Sequence, residues 1–252
     1  AKWLLSKNPK ASVTLGHDCR FAGEMFAETS AKIFANHGIK VYLAKGFVST
    51  PMVSLATKDK SADAGVIITA SHNPPSYNGF KIKASYGGPA LPAMIDEVEA
   101  LIPDWASVPG ESLEFFLNNG MIEWMDMETL YANHVQNSFD LNLINNSKLQ
   151  LGYDAMYGAG QGVMRRLFPE ATFLHADYNP GFEGQAPEPI DKNLAEFREL
   201  IKIAGDIDLG LATDGDADRI GLYNSTGKFI DSHHIILLLI QYLHKVKGYT
   251  GK

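Results

Sequence analysis

Two apolar segments, each followed at once by a polar loop, most constrain how this chain can fold. In residues 64–69 and 209–213, apolar side chains follow one another almost without interruption. Strands of this kind are typical of parallel sheets that are covered by helices on both faces. Ligands of open α/β sheets bind beyond the strand ends, so the two loops are the first places to look for chemistry.

Patterns of strands and helices alternate in two blocks on either side of a polar stretch. Strands are predicted at 12–15, 40–43, 64–69 and 80–83, then at 149–154, 171–175, 209–213, 220–223 and 229–230. Helices are predicted at 24–37, 50–57, 92–102 and 127–137, then at 160–168, 193–204 and 233–247. Residues 141–148 are rich in Asn and show neither the periodicity of a helix nor that of a strand, which predicts a domain boundary there. We therefore expect an α/β chain with domains at 1–140 and 141–232, and the start of a third at 233–252.

The composition excludes several classes of partner. The 252 residues are 45% hydrophobic and 20% charged, with a formal net charge of -7 and no cluster of Lys and Arg. That balance argues against nucleic acid or an anionic membrane as a partner. The apolar run Ile235–Ile240 is too short to span a bilayer. The single cysteine, Cys19, has no internal disulfide partner, which fits a cytoplasmic location.

The loop after the first apolar strand, residues 69–81, is called the serine loop below. It places the Ser71 hydroxyl, the His72 imidazole and the Lys81 ammonium beyond a buried strand. Ser71 can act as a nucleophile there, and its two neighbours can move protons or compensate phosphate charge. A purely structural turn, in which Ser71 and Asn73 satisfy backbone groups, explains the same residues.

The loop after the second apolar strand, residues 214–219, is called the acidic loop. Asp214, Asp216 and Asp218 fall within five residues, and the small Gly215 and Ala217 between them let the backbone curl. Carboxylates this close repel one another, and hard oxygen ligands select Mg²⁺ or Mn²⁺ over Zn²⁺. A solvated acidic turn is the alternative. A serine at one strand end and a magnesium site at another together predict a centre for phosphoryl transfer.

Both loops resemble the two signature motifs of the α-D-phosphohexomutase family. One is the Thr-Ala-Ser-His-Asn-Pro run with a lysine ten residues beyond the serine, and the other is Asp-Gly-Asp-Ala-Asp-Arg. Weaker matches occur at residues 16–20, 49–51, 87–90, 187–189 and 193–194. The resemblance implies two consecutive three-layer α/β/α domains with mixed sheets, in a family whose members have four domains.

The resemblance also implies roles for individual residues. Ser71 would be the phosphoserine, and an oxygen of its phosphate would join Asp214, Asp216 and Asp218 around Mg²⁺. The other catalytic candidates are His72 and Lys81 as acid or base, Arg219 as a phosphate clamp, and Arg20 near the site. In the family reaction the phosphoserine passes its phosphoryl group to a hexose phosphate, and a hexose bisphosphate intermediate returns its other phosphate to the serine.

The substrate and the completeness of the chain stay open at this point. The first domain looks most like phosphoglucomutase, with phosphomannomutase and phosphoglucosamine mutase as alternatives. Both ends look cut from a longer protein, without domains III and IV, so we expect little or no mutase activity from the chain alone. A weak metal-dependent phosphatase and an inactive domain pair are the other hypotheses. The glycines at 158, 160 and 162 follow a strand, but they lack the spacing of a dinucleotide-binding loop.

Overall fold

The computed structural model describes residues 1–105 and 107–251, which form two consecutive α/β units. The strands are β1 (Ser12–His17), β2 (Lys40–Ala44), β3 (Ala64–Ile68), β4 (Phe80–Ala84), β5 (Ile122–Met125), β6 (Leu151–Asp154), β7 (Thr172–Leu174), β8 (Leu209–Thr213), β9 (Ile220–Asn224) and β10 (Phe229–Ile230). The helices are α1 (Lys2–Lys7), α2 (Gly23–Asn36), α3 (Thr50–Asp59), α4 (Pro92–Glu99), α5 (Leu113–Asn118), α6 (Met127–Ser138), α7 (Leu141–Asn146), α8 (Gln161–Leu167), α9 (Ala195–Ala204) and α10 (Ser232–Lys245). Two short 3-10 turns lie between β7 and α9.

The first unit is a five-stranded mixed sheet with strand order β4-β3-β1-β2-β5. Its strands are parallel except for β4, which runs antiparallel to β3. Side chains of β3 alternate between two cores: Val66 and Ile68 pack with α2, whereas Ile67 packs with α3. Every residue of β3 is buried, as the continuous apolar run predicts. The three-layer arrangement is confirmed.

The second unit shares the order of its first four strands with the first unit, but its fifth strand lies at the opposite edge of the sheet. The order is β10-β9-β8-β6-β7, with β7, β6 and β8 parallel, β9 antiparallel to β8, and β10 antiparallel to β9. Leu211 of β8 packs with Met164 of α8, while its neighbour Ala212 packs on the other side with Phe197 of α9. Within each unit, the third strand in chain order (β3 or β8) is followed by a loop and an antiparallel fourth strand (β4 or β9). The serine loop and the acidic loop therefore occupy equivalent places.

Several elements differ from the sequence prediction. Residues 141–146 form helix α7, because the Asp140 side chain accepts the Leu143 N–H and caps it, although none of its residues is buried. Helix α5 and strand β5 lie in a stretch where neither a helix nor a strand was predicted. Helix α4 ends at Glu99 and buries no residue. The predicted domain borders stay predictions; helix α6 packs on α3 of the first unit and on α8 of the second.

Helix α2 lies where it was predicted, and alanines form much of its inner face. Phe26 is exposed, whereas the buried positions include Ala27, Ala31, Phe34 and Ala35. Small side chains let the helix approach the sheet closely, so alanine spacing marks the inner face. In the part of the chain that is described, no helix combines the length and apolar character that crossing a bilayer requires.

Candidate functional site

Ser71 lies just beyond the carboxyl end of β3 in a left-handed backbone conformation, with φ of 52°. Its N–H donates to Thr69 Oγ1 at 2.8 Å, and its carbonyl accepts from Arg20 Nη2 at 2.6 Å. The side chain points toward the second unit, where Ser71 Oγ donates to Asp214 Oδ2 at 2.7 Å. The hydroxyl thus faces a carboxylate, which favours a chemical role over a turn that satisfies its own backbone.

The acidic loop curls around its first carboxylate. Asp214 Oδ1 accepts the N–H groups of Asp218 and Arg219 at 2.9 and 3.1 Å, and Ala217 adopts a left-handed conformation with φ of 53°. Asp214 and Asp216 are buried and Asp218 is exposed, and one oxygen from each lies within 4.8 Å of the others. The three carboxylates therefore converge at one point.

The two loops touch. A Cβ on Gly215 would lie 2.7 Å from the Ser71 carbonyl oxygen, so only glycine permits this approach. Lys81 Nζ crosses from β4 to donate to Asp216 Oδ2 at 2.7 Å and to Asp218 Oδ2 at 3.1 Å. Thr50, at the start of α3, donates its hydroxyl to Asp216 Oδ2 at 2.5 Å and its N–H to the Asp216 carbonyl at 2.9 Å. The site is assembled from both units.

Burial and neighbouring charges shift the pKa values of the ionisable groups of the site in different directions. Burial, with the nearby Asp216 charge, raises the pKa of Asp214 to about 7. Burial also opposes ionisation of Asp216, but Lys81 and the Thr50 hydroxyl outweigh it and lower the Asp216 pKa. Burial acts against the charge on Lys81 too, but Asp216 and Asp218 prevail and raise its pKa. Lys81 therefore keeps its proton, and Asp214 is the carboxylate that exchanges one near neutral pH.

The donor set of the acidic loop fits a hard divalent cation. Asp216 Oδ1 is buried and has no hydrogen-bond partner in the part of the chain that the structure describes. A buried carboxylate oxygen without a partner is costly, and a cation would satisfy it. All donors are oxygens, three of them from converging carboxylates, which is the chemistry that Mg²⁺ and Mn²⁺ prefer.

His72 and Arg219 adjoin the two loops' key residues in the sequence. His72 is half-buried, and its Nδ1 is a buried atom without a hydrogen-bond partner among the described residues. The Arg219 side chain is 48% exposed, and its Nη1 lies 4.0 Å from Glu188 Oε1. A contact this long leaves the guanidinium available for an anion. The roles of both residues stay predictions.

Arg20 was predicted among the catalytic residues, but the structure places it beneath the serine loop. Its side chain has no exposed surface, and it donates to backbone carbonyls of that loop. A guanidinium buried and occupied in this way does not reach a substrate. Arg20 is therefore corrected from a catalytic residue to a support for the loop that carries Ser71.

Three contributing residues were not predicted: Thr50, Asp18 and Thr69. Asp18 is fully buried, accepts the Thr69 hydroxyl at 2.6 Å, and has a pKa that burial raises to about 6. All three lie in segments that were noted in the sequence. What the sequence did not show is that their side chains turn toward the two loops.

The glycines at 158 and 160 serve packing. A Cβ on Gly158 would lie 2.6 Å from the Asp214 carbonyl oxygen, and one on Gly160 would overlap the Tyr153 hydroxyl. The Ala159 N–H donates to the Gly215 carbonyl at 3.0 Å. These glycines let the segment before α8 lie directly against the acidic loop, which explains them without a nucleotide.

Comparison with known proteins identifies the family to which this chain is related. The sequence model described as phosphoglucomutase/phosphomannomutase, alpha/beta/alpha domain I, matches residues 1–108, and the model for domain II matches residues 129–227. A phosphoglucomutase of Neisseria meningitidis serogroup A is 32% identical over 91% of this chain and 48% of its own length. A phosphoglucosamine mutase of Deinococcus radiodurans is 33% identical over 92% of this chain and 51% of its own length.

A solved structure gives the same result. The crystal structure of a putative phosphomannomutase from Thermus thermophilus aligns with a TM-score of 0.89 and 32% identity, over 99% of this chain and 56% of that one. The chain spans about half the length of the curated relatives it matches. With both domain models matched in order, and with the serine loop and the acidic loop in contact, the chain belongs to the phosphoglucomutase/phosphomannomutase family of α-D-phosphohexomutases.

Proposed function

We propose that this chain handles the phosphoryl group in a phosphohexomutase reaction, with Ser71 as the residue that carries it. The observation that supports this most is the 2.7 Å contact between Ser71 Oγ and Asp214 Oδ2, which joins the hydroxyl to the carboxylate cluster. A nucleophile held against a site for a divalent cation is the arrangement that phosphoryl transfer requires.

Asp214, Asp216 and Asp218 would hold Mg²⁺ together with an oxygen of the phosphoserine. When bound, the cation neutralises negative charge on the phosphoryl group. The residues of the chain do the rest. Asp214 accepts the hydrogen bond of the Ser71 hydroxyl and so orients it.

Three further residues receive roles in this proposal. Lys81 keeps its proton, because its pKa is raised, and supplies positive charge beside Asp216. Arg219, with its exposed guanidinium, would clamp a substrate phosphate. His72 is the remaining candidate for proton transfer, since its Nδ1 has no partner in the described residues.

The reaction can be written with its atoms balanced. Ser71 Oγ forms a bond to a phosphorus of a hexose bisphosphate, the bond from that phosphorus to the sugar oxygen breaks, and the serine proton passes to a neighbouring base while the sugar oxygen takes up a proton. The reverse step returns the phosphoryl group to the other hydroxyl of a hexose monophosphate. We put glucose phosphate first as substrate, with mannose and glucosamine phosphates as alternatives; relatives named for glucose and glucosamine phosphates match this chain.

Phosphorylation of Ser71 is the direct test. The purified chain is incubated with glucose 1,6-bisphosphate and Mg²⁺, and intact mass followed by peptide mapping locates any added phosphate. We expect one phosphate on Ser71 and none in Ser71→Ala. Ser76→Ala, which removes an exposed hydroxyl from the same loop, should behave like the wild type. Absence of phosphate from Ser71 under these conditions would contradict the proposal.

Cation binding is tested separately by calorimetry with Mn²⁺ and Mg²⁺. We expect Asp216→Asn to abolish binding, because it removes a charge and one ligand oxygen of the cluster. Asp177→Asn, a change of an exposed carboxylate outside the cluster, is the matched control. Unchanged affinity in Asp216→Asn would refute the proposed site.

Two products distinguish the alternative functions. Release of inorganic phosphate from glucose 1-phosphate without isomerisation would favour a metal-dependent phosphatase. Interconversion of glucose 1-phosphate and glucose 6-phosphate by the purified chain would show that it performs the whole reaction, against our expectation of little or no such activity. Hexose recognition, the role of later domains as partners, and a cytoplasmic location remain parts of the proposal.

A further inference from the structure

We propose that Arg20 and Asp18 are positioning residues for Ser71, and that they act through the backbone of the serine loop without touching a substrate. The proposal rests on the proposed function, because it concerns the residues that hold that function's nucleophile. Its geometry, however, is independent of any phosphoryl chemistry, so the two can fail separately.

Arg20 adds hydrogen bonds to those that the serine loop makes internally, where for instance the Pro74 carbonyl accepts the Tyr77 N–H at 3.0 Å. A loop outside a sheet or helix has no ladder of backbone bonds, and its buried carbonyls need other donors. The planar guanidinium carries donors in a fixed fork, which one ammonium cannot imitate. Nη2 donates to the carbonyls of Ser71 and Asn73 at 2.6 and 2.7 Å, and Nη1 donates to those of Pro74 and Tyr77 at 2.9 and 3.2 Å.

Asp18 fixes Arg20 and Thr69 at the same time. Its Oδ1 accepts the Arg20 N–H at 2.9 Å, and its Oδ2 lies 3.3 Å from Arg20 Nε. The same Oδ2 accepts the Thr69 hydroxyl at 2.6 Å, and Thr69 Oγ1 in turn accepts the Ser71 N–H at 2.8 Å. Both peptide groups of Ser71 are thus held by groups that Asp18 orients.

Burying the Asp18–Arg20 ion pair costs free energy, which indicates that the pair fixes the shape of the loop and does not simply stabilise the fold. The side chains of Asp18 and Arg20 are both fully buried, and an apolar pair of similar volume is often as stable as a buried ion pair. Ser71 also adopts a left-handed conformation, which persists only where the surroundings enforce it. What the pair provides is a fixed direction for the Ser71 hydroxyl, toward Asp214.

Arg20 also lies where the two units meet. Its guanidinium stacks over the Phe182 ring of the second unit, with 5.0 Å from Cζ to the ring centroid. A Cβ on Gly215 would lie 3.6 Å from Arg20 Nη2. Arg20 therefore sets the position of the serine loop with respect to the acidic loop, and not only its internal shape.

Thr69 offers the sharpest test, because its hydroxyl can be removed without a change of shape. In Thr69→Val, we expect the rate of Ser71 phosphorylation by glucose 1,6-bisphosphate to fall about ten- to hundredfold, since the Ser71 N–H and Asp18 Oδ2 both lose a partner. Thr69→Ser keeps the hydroxyl and should restore most of that rate. Amide hydrogen exchange in peptides that cover residues 70–80 should accelerate in Thr69→Val but not in Thr69→Ser.

Arg20→Lys tests the role of the Arg20 guanidinium. It keeps the charge but cannot serve all the carbonyls, so we expect a larger loss of rate and faster exchange in the same peptides. Arg165→Lys is the matched control, because within the described residues the Arg165 guanidinium makes one hydrogen bond, to the Ala176 carbonyl at 3.1 Å. Mn²⁺ affinity, which depends on the three aspartates, should change by less than about twofold in the Thr69 variants.

The outcomes separate this proposal from the proposed function. Equal losses in Thr69→Val and Thr69→Ser, or wild-type rate and exchange in both Thr69→Val and Arg20→Lys, would overturn the positioning role. If the wild-type chain takes up no phosphate, the proposed function fails, and hydrogen exchange alone then tests the positioning role. Faster exchange confined to residues 70–80 would then support the positioning role, and faster exchange throughout the chain would overturn it.

Discussion

The serine loop and the acidic loop occupy equivalent places in two sheets that share the order of their first four strands, yet they are stabilised in opposite ways. Each follows the third strand of its unit and leads into an antiparallel strand. The serine loop has its carbonyls satisfied from outside by Arg20. The acidic loop satisfies itself, because Asp214 accepts N–H groups from its own later residues.

The two loops therefore depend on different things: the serine loop on its shape, and the acidic loop on the balance of its charges. The serine loop is long, and its shape depends on one buried cation beneath it. The acidic loop is short, and its weakness is the repulsion among its carboxylates, which Lys81 and Thr50 from the first unit reduce. The first unit therefore provides the nucleophile and also the groups that hold the second unit's charges. Changes at the contact between the loops should have larger effects than changes within either loop.

The largest effect on stability is expected where the loops touch. Gly215→Ala would place a Cβ 2.7 Å from the Ser71 carbonyl oxygen and 3.1 Å from Pro187 Cγ. That carbonyl is held by Arg20 and cannot move without breaking a hydrogen bond. We expect the free energy of unfolding, measured in urea, to fall by about 3 kcal/mol, the upper end for overpacking.

Gly110→Ala is the control for this substitution, because a Cβ at Gly110 would meet no atom of the described residues within 4 Å. It should leave the free energy of unfolding within about 0.5 kcal/mol of the wild type. If Gly215→Ala were as stable as Gly110→Ala, the loops would not be in fixed contact, and the comparison above would lose its basis.

Thr50→Val should have the next largest effect. It removes the hydroxyl that donates to the buried Asp216 Oδ2, while Lys81 still pairs with that oxygen. We expect the free energy of unfolding to fall by about 1.5 kcal/mol, the low end for a hydrogen bond to a charged group. Thr50→Ser should recover most of it. Equal losses in both variants would mean that the methyl group of Thr50, and not its hydroxyl, supports the acidic loop.

Sequence reasoning found the parts of this fold that leave a local pattern. Strand β3 was predicted because burial on both faces selects uninterrupted apolar residues. Strand β8, which alternates between buried and half-buried residues, has a similar apolar run and was predicted for the same reason. Helix α7 was not predicted, because a six-residue element with no buried position has no hydrophobic period to detect, and one capping side chain forms it. Alanines form much of the inner face of α2, so a stripe of large apolar residues does not mark its buried side.

The same limit applies to the site. Ser71 and the three aspartates stand in distinctive runs of polar residues, so their proximity to a strand end could be predicted. Thr50 could not, because its partner Asp216 is 166 residues away and the contact exists only once both units are folded. Arg20 was predicted near the site, but no sequence pattern shows that its guanidinium faces loop carbonyls and not a phosphate.

Cation affinity should depend on pH through the acidic loop alone. Asp214 must lose its proton to act as a ligand, and its pKa is about 7 in the metal-free chain, mainly because of burial. Affinity for Mn²⁺ should therefore rise about tenfold for each pH unit below that pKa and level off above it. Calorimetry at pH 6, 7 and 8 measures this. A flat affinity across that range would mean that Asp214 is already ionised or is not a ligand.

The smallest effect on stability is expected from the pair His175 and Asp154, which lie at the ends of β7 and β6 in the second unit. His175 Nδ1 lies 3.0 Å from Asp154 Oδ1, and this hydrogen bond is the main reason that the pKa of His175 is raised. The folded chain then holds the proton more tightly than the unfolded chain does. The stabilisation is fully present below the unfolded pKa of about 6.5 and is lost as the pH rises through the folded pKa.

His175→Asn isolates that contribution, because asparagine tolerates the left-handed backbone of this position, with φ of 45°, and can still donate to Asp154. We expect thermal unfolding to show a pH-dependent gain of less than about 1 kcal/mol in the wild type that disappears in the variant. His233→Asn, at an exposed position, should keep the wild-type dependence. If His175→Asn keeps it as well, the proton-linked stability of the second unit comes from the acidic loop, and the contrast between the two loops becomes a contrast between the two units.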